Sequence, residues 1–96
     1  MSVQKPTFTW DEPKRLANID VHKLDFVHAE TGDWDHALVR ETYPGRRGEA
    51  RFKAIVRIRN RLIIVIFSPL GTEALSVISM RPANAKEKRL YAAEQG

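Results

Sequence analysis

The clearest pattern of hydrophobic and polar positions lies between Ala50 and Met80, where it predicts three consecutive strands joined by tight turns. From Ala50 to Ile58, apolar residues alternate with mainly cationic ones, which is typical of a strand with one buried face. Leu62 to Phe67 is apolar at every position, as expected of a central strand that is covered on both faces. Glu73 to Met80 is predicted to complete an antiparallel β-meander.

Side-chain alternation also assigns faces to the outer two of these strands. In the first strand, Arg51 and Lys53 point away from the apolar face, so the opposite face is predicted to be cationic. In the last strand, alternate residues are expected on one face, namely Leu75, Val77, Ser79 and Arg81.

The first helix is predicted from Glu12 to Val21, with Asp11 as its N-cap. Leu16 and Ile19 lie three residues apart and are expected to face the core. A separate polar stripe has a spacing of four residues and consists of Lys14, Asn18 and His22. This stripe is either a solvated helix face or part of a site.

Shorter elements are predicted on both sides of the first helix. Thr7 to Trp10 alternates polar with aromatic residues, as a short edge strand does. Asp25 is expected to cap a short helix that runs to about Glu30 and ends at Gly32. The weak alternation from His36 to Thr42 indicates one more strand.

The last helix is predicted from about Ala85 to Ala93, because Asn84 and Glu87 resemble a capping box. The predicted order of elements is therefore β-α-α-β-β-β-β-α. This is an α+β fold with an antiparallel sheet packed with N-terminal helices and a C-terminal helix. Residues 1–96 are expected to form one domain.

Composition excludes several classes of site. The sequence has no cysteine, which excludes disulfides and thiolate metal sites, and its three histidines lack a tight metal-ligand spacing. Neither a metal nor another cofactor is therefore expected. The first twenty residues contain no signal-like apolar run and no stretch is long enough to span a bilayer, so we expect a cytoplasmic protein.

Charge is distributed unevenly along the chain. Residues 1–49 carry seven Lys or Arg and nine Asp or Glu, whereas residues 50–96 carry nine and three, so the halves have net charges of −2 and +6. A basic half indicates a phosphate-bearing partner or an acidic protein partner, although ordinary surface solvation gives the same count.

Several short blocks of residues follow one another with a specific spacing. They read Phe8-x-Trp10-Asp11-x-x-Lys14-x-x-x-Asn18, then His22, then Asp25-Phe26-x-x-Ala29, then Gly48-Glu49-x-Arg51, and finally Ile78-Ser79-Met80-Arg81-x-Ala83-x-x-x-Glu87-x-x-x-Tyr91. Together they resemble the BrnT family of bacterial type II toxins, over almost the whole chain.

The resemblance implies a RelE-like fold and a metal-independent ribonuclease that cleaves mRNA and blocks translation. It also implies a cognate antitoxin of the BrnA type, with a ribbon-helix-helix domain that binds DNA. The toxin would contact operator DNA only through this complex, which would repress its own operon.

The chain departs from the family pattern at several positions. Val21 stands where the family usually has a lysine before the histidine, and Ser76 stands where a basic residue is common. The region around Val56 and the loop from Tyr43 to Arg47 also differ. Two potential phosphate contacts are lost, so the alternative to an active ribonuclease is an inactive module that binds an antitoxin and takes part in autoregulation.

Metal-free RNA cleavage needs a base for the 2′-hydroxyl, cations for the phosphorane charge and an acid for the leaving 5′-oxygen. Arg51 and Arg81 are the candidates for phosphate binding, because a guanidinium fork matches phosphate oxygens. His22 is the candidate base or acid, and Glu49 is the alternative base. The remaining candidates, for acid or electrostatic support, are Lys14 and Tyr91. A third hypothesis is a nucleic-acid binder without cleavage activity, whose affinity would depend steeply on salt.

Overall fold

The computed structural model describes residues 6–95. The strands are β1 (Thr7–Trp10), β2 (Leu38–Glu41), β3 (Phe52–Ile58), β4 (Arg61–Leu70) and β5 (Ala74–Pro82), and the α-helices are α1 (Glu12–His22) and α2 (Ala85–Gln95). Two 3₁₀ helices, Phe26–Thr31 and Trp34–His36, lie between α1 and β2. In the described part of the chain, no helix is long and apolar enough to cross a membrane.

The strands form a five-stranded mixed sheet in the order β1-β5-β4-β3-β2. The three hairpins from β2 to β5 are antiparallel, which confirms the predicted meander. β1 pairs with β5 in parallel, with Thr7 opposite Ala74 and Trp10 opposite Val77, so the prediction of an entirely antiparallel sheet is wrong. Alternation within a strand indicates its buried face but carries no information about the direction of a distant neighbour.

Apolar residues cover both faces of β4, as predicted for a central strand. Ile63 and Val65 belong to a cluster on one face, packed with Phe26 of the first 3₁₀ helix. Ile64 belongs to a second cluster on the other face, together with Tyr91 of α2. The face of β3 that was predicted to be simply cationic therefore lies partly beneath α2.

Local capping signals determine where the helices begin. The side chain of Asp11 accepts a hydrogen bond from the Lys14 amide at 3.3 Å, and that of Asp25 accepts one from the Val27 amide at 3.0 Å. Asn84 and Glu87 exchange backbone-to-side-chain hydrogen bonds of 2.9 and 2.8 Å, which confirms the predicted capping box.

A β-bulge interrupts the alternation of β5. Ser79 lies opposite Ile66 and Val77 lies opposite Phe67, so Ile78 is an extra residue between two paired positions. Beyond the bulge, Arg81 lies opposite Ile64 and thus on the α2 face, whereas Val77 is in the other cluster. The prediction that Leu75, Val77, Ser79 and Arg81 share one face is therefore wrong.

Helix α1 packs beside β5 through a polar residue. Asn18 is only 7% exposed, and its Oδ1 accepts a hydrogen bond from the backbone N–H of Met80 at 3.0 Å, while its Nδ2 donates to the Leu24 carbonyl at 2.9 Å. Residues two apart lie on nearly opposite sides of a helix, so Leu16 is turned outward and is 55% exposed. The prediction that Leu16 faces the core is wrong, because a backbone donor beyond the end of β1 requires an acceptor.

We expect Asn18→Ala to lower the free energy of unfolding by about 2 kcal/mol, because it leaves a buried N–H and a carbonyl without partners. Urea denaturation would measure the change. Leu16→Ala is the matched control on the outer side of α1 and should cost less than about 0.5 kcal/mol. Equal losses in both variants would contradict the bridging role of Asn18.

Candidate active site

A cleft of about 950 Å³ lies between α1, the bulge of β5 and the loop that joins β2 to β3. Its lining includes four cationic side chains and one carboxylate, which are Lys14, Arg46, Arg47, Arg51 and Glu49. His22 and Ser79 line it as well. This excess of positive charge suits a ligand with several negative charges.

The polar stripe of α1 faces this cleft. Lys14, Asn18 and His22 are spaced by four residues, so they lie along one side of the helix, and all three line the cleft. Asn18 holds this side of α1 against β5 through its bond to Met80. The stripe therefore forms one wall of the cleft.

The loop between β2 and β3 is organised by Glu49. The carboxylate of Glu49 accepts a hydrogen bond from the Arg47 amide at 3.1 Å, and it lies so close to Gly45 that a side chain there would collide with it. Gly48 has a φ of 82°, which other residues rarely adopt. Hydrogen bonds from the amides of Glu49 itself and Arg47 hold the pKa of the Glu49 carboxyl below its usual range. Glu49 is therefore a weak candidate base and an ordered support for the loop arginines.

Of the two arginines predicted to bind phosphate, Arg51 makes fewer contacts with other side chains than Arg81 does. Among the described residues, its buried Nε has no hydrogen-bond partner, and its contact with Glu49 is long, at 3.5 Å between Nη2 and Oε1. Its side chain is 28% exposed and lines the cleft. The terminal nitrogens of this partly exposed guanidinium could donate to an acceptor in the cleft, such as a phosphate oxygen.

Arg81 lies on the same face of β5 as Ser79, two residues further along, but does not line the cleft. Its guanidinium is held by Glu87 through two hydrogen bonds of 2.8 and 2.7 Å. Lys53 contacts the same carboxylate at 2.6 Å. Arg81, together with the Asn84 amide and Lys53, lowers the pKa of Glu87 to about 2 despite its burial, and Glu87 in turn raises the pKa of Arg81.

Tyr91 is only 5% exposed and packs in the cluster with Ile55 and Ile64. The guanidinium carbon of Arg57 lies 5.8 Å from the centre of its ring, which is a cation–π distance. Tyr91 thus packs from α2 onto the sheet and is not among the residues that line the cleft.

Four of the six predicted site residues therefore share one cleft, namely Lys14, His22, Glu49 and Arg51. Arg81 and Tyr91 lie outside its lining. Sequence reasoning missed Ser79 as a lining residue and Lys53 as a partner of Glu87. The capping-box pattern marked Glu87, but no local signal indicates which strand residues it contacts. Among residues 6–95, no group of His, Asp and Glu could hold a metal ion.

Comparison with known proteins identifies a family and a similar solved structure. Residues 10–87 match the family described as ribonuclease toxin, BrnT, of type II toxin–antitoxin systems. The crystal structure of the Brucella abortus ribonuclease toxin BrnT is 43% identical in sequence and superimposes with a TM-score of 0.68 over 83% of this chain and 99% of that chain. No curated protein matches. The RelE-like character of the fold stays a prediction.

Proposed function

The chain belongs to the BrnT family of ribonuclease toxins of type II toxin–antitoxin systems, and on this premise we propose that it cleaves RNA in the cleft beside α1 without a metal ion. The observation that carries the proposal is the concentration of four cations and a histidine in that cleft. A lining with one carboxylate attracts phosphates and offers little to a divalent cation, which prefers oxygen ligands.

Arg51 binds the scissile phosphate, because its guanidinium lines the cleft and its contact with Glu49 is long, which leaves its terminal nitrogens able to donate to phosphate oxygens. As the 2′-oxygen attacks phosphorus, negative charge grows on the non-bridging oxygens, and a preplaced cation stabilises that charge. The P–O5′ bond then breaks, leaving a 2′,3′-cyclic phosphate and a free 5′-hydroxyl.

His22 and Lys14 carry out the two proton transfers of this reaction, one from the 2′-hydroxyl and one to the leaving 5′-oxygen. They lie eight residues apart on α1, which separates their Cα atoms by about 12 Å along the helix axis. In-line displacement requires the base and the acid on opposite sides of the phosphorus, and two groups separated along one wall of the cleft suit this requirement. His22 takes the proton of the 2′-hydroxyl, and Lys14 supplies a proton to the leaving oxygen.

The loop arginines and Arg81 have supporting roles in this proposal. Arg46 and Arg47 contact phosphates that flank the scissile bond, since both line the cleft. Arg81 reaches RNA only if its pair with Glu87 opens, so its main role in the free protein is to hold α2 against β5.

The biological setting follows from the family. Cleavage of mRNA in the cytoplasm would inhibit translation, and a cognate antitoxin would neutralise the enzyme. We propose a BrnA-like antitoxin with a ribbon-helix-helix domain, through which the complex binds operator DNA.

Metal independence is tested by incubating the purified protein with an unstructured RNA in buffer with excess EDTA. We expect cleavage at the same rate as in the presence of Mg²⁺, with 2′,3′-cyclic phosphate ends. Loss of cleavage in EDTA and recovery with Mg²⁺ would contradict the metal-free mechanism. Intact RNA under both conditions, with antitoxin still bound, would instead support the inactive binding module.

A further inference from the structure

A second, smaller pocket of about 250 Å³ lies on the other flank of α1 from the cleft. Ile19 and Lys23 of α1 line it, whereas the cleft is lined by Asn18 and His22. The two cavities share no lining residue. The proposed reaction uses none of the side chains of this second pocket.

Aliphatic side chains form the floor of this pocket. Ile58, Ile63 and Met80 are buried members of the core cluster, and Ile19 and Leu24 complete the apolar lining. Its volume is below the range of about 300–1,000 Å³ that is typical of pockets for whole ligands. It therefore suits one or two aliphatic side chains rather than a cofactor.

Cationic side chains form the rim. Lys23, Arg59 and Arg61 line the pocket, and no described carboxylate lies within ion-pair distance of any of the three. Asp25 is the one acidic residue in the lining, and Arg15 neutralises it at 2.9 Å. The rim thus presents unopposed positive charge around an apolar floor.

Two of the three rim cations, Arg59 and Arg61, are positioned by the β3–β4 turn. Arg59 and Asn60 both have positive φ values, of 51° and 66°, which is typical of the tight two-residue turn of a β-hairpin. Arg59 also contacts the ring of His28, with 3.4 Å between Nη1 and Nε2. Ordering of the rim before binding lowers the entropy cost of recruiting a partner.

The chemistry of this pocket favours a peptide over RNA. Bases are usually bound by stacking on aromatic side chains, and the one aromatic ring in the lining is His28, which Arg59 contacts. An aliphatic anchor flanked by carboxylates would fill the floor and pair with the rim. We propose that this pocket docks an acidic segment of the antitoxin by inserting an aliphatic side chain, an inference that rests on the antitoxin partner in the proposed function.

The test compares two double variants that change the net charge equally. Arg59→Glu with Arg61→Glu reverses the rim, and Lys88→Glu with Arg89→Glu reverses two exposed cations of α2. Isothermal titration calorimetry with the purified cognate antitoxin would give the dissociation constants. We expect the rim variant to bind at least about 10-fold more weakly and the α2 variant within about 2-fold of the native chain. Both should still cleave RNA at the native rate.

Methyl NMR spectra of the native chain locate the contact independently of the variants. The methyl signals of Ile19, Ile63 and Met80 should shift when antitoxin is added, because they line the pocket. Equal weakening in both double variants, or unshifted methyl signals with antitoxin bound, would overturn the proposal. A rim variant that loses RNA cleavage while keeping antitoxin affinity would make the pocket an RNA subsite, which also overturns it. A native chain that cleaves RNA but binds no antitoxin would overturn the partner and this docking site together, leaving the ribonuclease intact.

Discussion

Replacing Arg51 by alanine should lower the rate of RNA cleavage by about 10²- to 10³-fold, because it removes the cleft cation that we propose as the ligand of the scissile phosphate. The folded structure should lose little stability, since the contact of Arg51 with Glu49 is long and partly exposed. Single-turnover cleavage of a labelled RNA would measure the rate, and a thermal melt of the same sample would measure stability.

Arg51→Lys distinguishes the contribution of the positive charge from that of the paired N–H donors of the guanidinium. Lysine keeps the positive charge but cannot offer two parallel N–H donors to a phosphate, so we expect an intermediate loss of roughly 10-fold. Arg40→Ala is the control, because Arg40 is exposed on β2 and pairs with Glu94 at 3.4 Å. If Arg51→Ala and Arg40→Ala cleave equally fast, Arg51 does not bind the reacting phosphate.

Arg81→Ala should behave differently from Arg51→Ala. Both terminal nitrogens of Arg81 donate hydrogen bonds to Glu87. Without them, the nearly buried carboxylate of Glu87 has Lys53 as its remaining cationic partner. We therefore expect its main effect on stability. A drop in cleavage without a drop in stability would show instead that Arg81 acts directly on the substrate.

Elements with purely local signals could be predicted from the sequence. The caps at Asp11, Asp25 and Asn84 were predictable because a capping side chain bonds to amides two or three residues away. The two hairpins from β3 to β5 were predictable because their apolar runs are separated by short turns.

Features that depend on distant partners could not be predicted in this way. The bulge at Ile78 appears only when β5 is aligned with β4, and it reverses the face of Arg81 relative to Val77. The burial of Asn18 depends on a backbone donor of Met80, 62 residues away in sequence. An asparagine in a helix is expected at the surface unless a buried hydrogen-bond partner is known. The sequence therefore favoured the apolar Leu16 as the core residue.

The candidate site was predicted only in part, because the spacing of residues within a helix is visible in the sequence and contacts between distant residues are not. Lys14 and His22 belong to one helical stripe, so their common location followed from spacing once one of them faced a cleft. Arg51 and Arg81 were chosen because a guanidinium matches phosphate oxygens, and the family resemblance supported both positions, but neither argument says anything about their ion pairs. The carboxylate of Glu87 is what distinguishes the two arginines, since it occupies Arg81 and lies outside the contacts of Arg51.

Glu87→Gln should lower the free energy of unfolding at pH 7 by about 3 kcal/mol, because Glu87 is 4% exposed and pairs with both Arg81 and Lys53. Glutamine preserves the size of the side chain and an oxygen for the Asn84 amide, so the change removes mainly the charge. Urea denaturation would measure the loss, and Glu94→Gln, in an exposed pair, should cost less than about 0.5 kcal/mol.

The penalty for Glu87→Gln should also shrink in acid. The folded-state pKa of Glu87 is lowered from 4.5 to about 2, so its charge stabilises the fold fully above the unfolded pKa and loses this effect as the pH falls towards 2. The difference between native and variant should therefore fall from about 3 kcal/mol at pH 7 to about 1.5 kcal/mol at pH 3. An equal difference at both pH values would contradict this explanation. It would mean that Glu87 stabilises the contact of α2 with the sheet through packing and not through its ionised carboxylate.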